Sequence, residues 1–134
     1  MLNLEENCSL QPNIFTSIAD LIAAESTRHG GLSQGAYAAL NVGISTEDDP
    51  AVVAENRRIF FNSLGLQPEQ VASSYQVHGD AVLKVEAPGR TDGYDALITQ
   101  VPNVFLTVTI ADCTPILIAD PHTRAVAAIH AGWR

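Results

Sequence analysis

Three residues of this 134-residue sequence carry side chains that bind borderline and soft metals: His78 in YQVHGD, Cys113 in ADC and His130 in AAIHAGWR. Two imidazoles and a thiolate suit zinc or copper. Three protein donors leave a fourth position open, as in a catalytic rather than a structural site. The three are far apart and form no CxxC or HExxH motif, so residue type alone leaves other readings open. One is an ordinary core cysteine beside two hydrogen-bonded histidines. Another is a Cys113 nucleophile with His130 as its base, the logic of a hydrolase. Asp112, next to Cys113, could act as general acid or base, orient a histidine from behind, or only cap a turn.

A second candidate lies upstream, where Arg28 is followed by His29, Gly30 and Gly31. A guanidinium can hold an oxyanion with two hydrogen bonds, and consecutive N–H groups in a glycine turn can form an anion nest. The same residues also fit a solvated loop, in which His29 lines a pocket or faces water. His122 falls in a turn and is expected to be solvated.

The elements that must position these residues can be read from period and punctuation. ADPHTR, between ILIA and AVAAIH, contains the turn formers Asp120, Pro121 and Thr123, so the two apolar runs are expected to pair as a hairpin. Placing Cys113 directly opposite His130 puts the centre of that hairpin between Pro121 and His122. Directly opposed residues share a face with Cβ atoms about 5 Å apart, and a slip of one residue would separate them.

In DDPAVVAENRRIFFNSLGL, Asp49 is placed to cap a helix, with Pro50 at its first position and Gly65 ending it. Val52, Val53, Asn56, Ile59, Phe60 and Leu64 recur at helical spacing. Thr27 to Gly43 holds four glycines and reads as a loop. Beyond residue 70 the period becomes that of strands, in VASSYQV, AVLKVEA, DALIT, VFLTVTI, ILIA and AVAAIH. The result is an α+β class with mixed sheets flanked by helices. ILIA and AVAAIH read as strands buried on both faces. One helix is too little to cover them, so part of the fold is expected to be missing.

Composition narrows the partners. The net charge is −8 with a pI near 4.7, which disfavours non-specific binding to nucleic acid or an anionic membrane. No apolar run approaches the roughly 18 residues of a membrane span, and Glu5 and Glu6 stand where a secretory leader would carry lysines. A cytoplasmic protein of one domain is the expectation, its partners small molecules, with no nucleic acid and no membrane. A disulfide between Cys8 and Cys113 is not expected, and Cys8 is read as a free thiol, at the surface or half-buried.

Taken in order, TRHGGLSQGAYAALNVG, DDPAVVAENRR, QVHGDAV, DALIT, ADCTPILIAD and HAGWR resemble the laccase-domain proteins. These were first described as multicopper polyphenol oxidoreductases and are now viewed as purine nucleoside phosphorylases. The resemblance runs from Thr27 to Arg134. It implies a layered α/β/β/α arrangement and a catalytic zinc, copper being the alternative, on His78, Cys113 and His130. It also implies phosphorolysis of adenosine, inosine and methylthioadenosine to free base and ribose 1-phosphate, with adenosine deamination as a secondary activity. Family members are about twice this length, so residues 1–134 would be the N-terminal half of one domain, ending just after HAGWR. A copper-dependent oxidase, a Cys-His hydrolase and an inactive half-domain are the alternatives.

Overall fold

The computed structural model describes residues 7–133; residues 1–6 and Arg134, the last residue of HAGWR, lie outside the described residues. The chain divides into two compact units, Met1–Pro68 and Glu69–Arg134.

The first unit is mostly loop around one helix. β1 (Ser9–Leu10) pairs antiparallel with β2 (Glu25–Ser26), and among the described residues of this unit the one long element is α1 (Pro50–Ser63). The local signals place α1 as read: the Asp49 side chain accepts from the Ala51 N–H at 2.9 Å, Pro50 opens the helix, and Gly65 follows it with a left-handed φ of 76°. Its buried face is Val53, Asn56, Ile59, Phe60 and Phe61, while Val52 and Leu64 are only half-buried. Burial of each large apolar side chain on this face contributes about 2 kcal/mol. Cys8 is not near the surface as its position suggested. It is fully buried in a cluster with Leu40 and Ile59, where the thiol packs as a small apolar group.

The second unit consists of two sheets made by one alternating path. Strand β3 (Val71–Tyr75), β5 (Gly89–Asp92) and β7 (Phe105–Leu106) form a parallel sheet in the order β5-β3-β7. Strand β4 (Val82–Lys84), β6 (Ala96–Thr99), β8 (Thr114–Ala119) and β9 (Val126–Ala131) form the other, in the order β4-β6-β9-β8. From β3 to β7 the chain visits the sheets in turn. Each strand therefore returns to its sheet in the same direction as before, which gives parallel pairing without crossover helices. Ala72 of the first sheet and Leu97 of the second meet in one core with Val85, flanked by Leu83, Tyr94, Val104 and Leu106.

Several expectations shift here. Strand β5 had no clear period in the sequence, and VFLTVTI is extended over only Phe105–Leu106. ILIA is not buried on both faces. Along β8 burial alternates, with Ile118 53% exposed, and Val82 on β4 is 60% exposed. The hairpin forms, but its register pairs His130 with Pro115, which puts its centre between His122 and Thr123. That slip is of two residues, so Pro115 stands opposite His130 and Cys113 lies just before the paired strand. Pro115 is tolerated because β8 is an edge strand.

Candidate metal centre

Three segments of the second unit bring His78, Cys113 and His130 together. Their ligand atoms, one from each side chain, lie within 4.8 Å of one another. His130 comes from the interior of β9 and is buried, Cys113 immediately precedes β8 and is half-buried, and His78 follows β3 and is exposed. The cluster therefore runs from core to surface and can be reached from one side. The imidazoles of His78 and His130 meet edge to face, ring centres 4.7 Å apart.

Each ligand segment is tied down by a side chain some distance away in sequence. Gln76 donates from Nε2 to the Thr109 carbonyl at 2.8 Å and accepts from the Thr109 N–H at 2.8 Å, fixing the stretch that leads into Cys113. Asp95, which immediately precedes β6, is 2% exposed and collects four donors. Its Oδ1 accepts from the His78 N–H at 2.9 Å and from His130 Nδ1 at 2.7 Å. Its Oδ2 accepts from the Val77 N–H at 3.0 Å and the Gly79 N–H at 2.9 Å.

Three successive N–H groups thus converge on one carboxylate, with His78 in the left-handed region at φ 58° between its neighbours. An anion nest exists in this chain, and its anion is the chain's own Asp95. Burial pushes the Asp95 carboxyl upward. The N–H groups of Gly79 and Val77, the His130 ring and the His78 N–H outweigh that, holding it below the usual carboxylate range.

The donor set fits a metal. A carboxylate only accepts, so the neutral His130 ring carries its proton on Nδ1 and keeps the Nε2 lone pair for a ligand bond. Donor atoms around a tetrahedral zinc stand about 3.5 Å apart. The separations here, at most 4.8 Å, exceed that by about 1 Å at the most.

The other residues singled out in the sequence have separate placements. Asp112 is exposed beside Cys113, and the carboxylate that orients a histidine is Asp95, which sequence reading missed. Arg28 and His29 are exposed in the first unit, with one guanidinium nitrogen of Arg28 donating to the Ala38 carbonyl at 3.0 Å. Gly30 and Gly31 have φ of 79° and 74°. Gly31 has a packing reason to be glycine: a Cβ there would lie 2.7 Å from both the Ala39 carbonyl oxygen and Leu40 Cα. His122 is exposed in the β8–β9 turn, where its N–H donates to Asp120 at 2.9 Å.

Comparison with known proteins adds a family and a length. The family described as multi-copper polyphenol oxidoreductase laccase matches residues 22–134. A purine nucleoside phosphorylase of Deinococcus radiodurans is 46% identical over 111 residues, covering 83% of this chain and 43% of that protein. One from Streptomyces griseus is 42% identical and covers 81% of this chain and 46% of that protein. The chain therefore spans less than half the length of these curated relatives. Among solved structures, YlmD of Geobacillus stearothermophilus superposes with a TM-score of 0.83 at 35% identity, over 87% of this chain and 47% of that one. The hypothetical protein YfiH of Bacillus licheniformis gives 0.87 at 27% identity, over 97% and 51%. Among the described residues no helix is long and apolar enough to cross a membrane.

Proposed function

This chain belongs to the multi-copper polyphenol oxidoreductase laccase family, and on that premise we propose that it serves the phosphorolysis of purine nucleosides at a zinc centre formed by His78, Cys113 and His130. The observation that carries the reading is the convergence of two imidazoles and a thiol in a cluster that opens to solvent on the His78 side. The substrate class is supported by relatives named purine nucleoside phosphorylase.

In the reaction a phosphate oxygen bonds to C1′ as the C1′–N9 bond breaks. The ribose passes through an oxocarbenium-like state, and the purine leaves with the bonding pair and gains a proton. Bound zinc would supply a fixed positive charge to polarise a substrate oxygen or bind phosphate. The chain's own groups do the positioning. Asp95 holds the His130 ring and the His78 backbone, and Gln76 holds the approach to Cys113. We assign Asp112, exposed next to Cys113, to the proton of the departing base, and Arg28, with His29, Gly30 and Gly31, to phosphate.

The family's name favours a second reading, a copper oxidase acting on polyphenols. Against it, the described residues gather three donors, enough for one ion and too few for a cluster of coppers. Adenosine deamination is the secondary activity we propose for the same site: there water would add to C6 of the base and ammonia would leave, with the glycosidic bond intact.

The test is zinc content of the purified chain followed by incubation with adenosine, with and without phosphate. Phosphate-dependent release of adenine, with about one zinc per chain, is expected. Inosine without free base would replace phosphorolysis by deamination, and phosphate-independent oxidation of a phenol by a copper-loaded chain would restore the oxidase. In an active chain, Arg28→Ala is expected to raise the KM for phosphate at unchanged zinc content.

A further inference from the structure

Two of the three candidate ligands depend on the same side chain. His78 sits on a backbone turn whose three successive N–H groups, from Val77 to Gly79, all donate to Asp95. The His130 ring donates to Asp95 from Nδ1, and the backbone doubles the link, with the His130 N–H donating to the Asp95 carbonyl at 2.7 Å. A carboxylate has about four good acceptor directions, and all are used here within the chain. Asp95 is therefore not available as a metal ligand or as a proton acceptor for substrate. What its four bonds do is fix a backbone turn and a ring at once.

We propose that Asp95 is the positioning residue of the centre: it pre-forms the His78–His130 pair before any metal arrives and selects Nε2 of His130 as the donor atom. The physical case is in the bond pattern. His78 occupies a left-handed φ of 58°, a conformation that costs a non-glycine residue energy and persists where surrounding bonds over-determine it. Three N–H groups aimed at one buried carboxylate provide that. The ring of His130 could otherwise rotate or take the other tautomer, and a carboxylate on Nδ1 removes both freedoms. One residue thereby couples two ligands that are 52 positions apart in sequence.

This rests on the metal-centre part of the function proposed above and not on phosphorolysis, so nucleoside turnover is not the readout. The first measurement uses the unaltered, metal-free chain. Long-range nitrogen–proton NMR of the imidazoles should find His130 protonated on Nδ1 with Nε2 bare. Protonation on Nε2 in the neutral ring overturns the proposal.

The second compares zinc affinity of the wild type and Asp95→Asn, by competition with a chromophoric chelator. The amide keeps the size of the side chain but puts two hydrogens where donors point. A loss of about 10–100-fold in affinity is expected, together with a mixed His130 tautomer. A purely structural role would lower the melting temperature and leave the tautomer and the zinc affinity of the folded variant within about twofold; that result overturns the proposal. If Asp95→Asn does not fold, the tautomer of the wild type decides. A wild-type chain that binds no zinc overturns the metal centre itself. One that binds zinc tightly yet releases no adenine overturns only the phosphorylase reading.

Discussion

Asn56 and Asp95 are both fully buried polar residues that gather a loop, and they do it with different chemistry. In the first unit Asn56 projects from α1 into the glycine-rich loop. Its Oδ1 accepts from the Leu32 N–H at 2.7 Å, and its Nδ2 donates to the Ser33 hydroxyl at 2.8 Å and the Asn41 carbonyl at 2.9 Å. In the second unit Asp95 accepts four times and donates nothing from its side chain. An amide suits a loop that presents both N–H and C=O groups, and it stays neutral at any pH. A carboxylate can gather only donors, and it brings a charge into the core. That charge has a use beside a histidine whose other nitrogen must stay bare. The difference teaches that the first hub is built for holding a shape, and the second for holding a shape and a protonation state together.

The contrast yields graded expectations. The largest is for Asn56→Leu, which keeps the volume but strands the Leu32 N–H and the Asn41 carbonyl inside the unit. Each orphaned group costs about 1–3 kcal/mol, so a loss of about 3–5 kcal/mol is expected in chemical denaturation. A loss under about 1 kcal/mol would show that the amide is not a hub. Next comes Gly31→Ala, whose Cβ would press on the backbone of Ala39 and Leu40 at a φ of 74°. Strain and overlap together are expected to cost about 2–3 kcal/mol, read as a lower denaturant midpoint at an unchanged slope.

Gln76→Leu removes two bonds to the Thr109 backbone and a longer one from its hydroxyl, for about 2 kcal/mol. Because Thr109 leads into Cys113, this variant should also make the thiol react faster with a maleimide. Unchanged reactivity would detach Gln76 from the centre.

The smallest effect is one of pH. The Ser33 hydroxyl, and then the Asn41 amide, hold the Asp48 carboxyl below its ordinary value. A depressed carboxyl contributes stability above its unfolded pKa, and that contribution fades as pH falls through the lower folded value. Asp48→Asn should therefore flatten the acid limb of the stability curve and change little at neutral pH. An acid limb unaltered in that variant would pass the role to the other depressed carboxyls, Glu55, Asp95 and Asp120.

Much of the centre's inventory was legible. Local bonding gave helix α1 its ends, since Asp49 and Ala51 are neighbours and Gly65 follows directly. The β8–β9 hairpin was legible too, because its turn formers lie between two apolar runs. Its register was not. Strand β9 is paired on its other edge with β6, which lies about 30 residues upstream, and such a long-range pairing leaves no signal in the turn that a sequence reading uses.

The donors themselves, His78, Cys113 and His130, were named by residue type and motif in the sequence. Only the tertiary structure could bring their ligand atoms within 4.8 Å, bury Cys8, and give Gly31 its reason. It also chose Asp95 over Asp112 as the orienting carboxylate. The bonds that do so span 16–18 residues to the His78 turn and 35 to His130. Interactions over two to four residues leave a period or a cap in the sequence, whereas contacts at such separations leave none and exist only once the sheets have closed on their core.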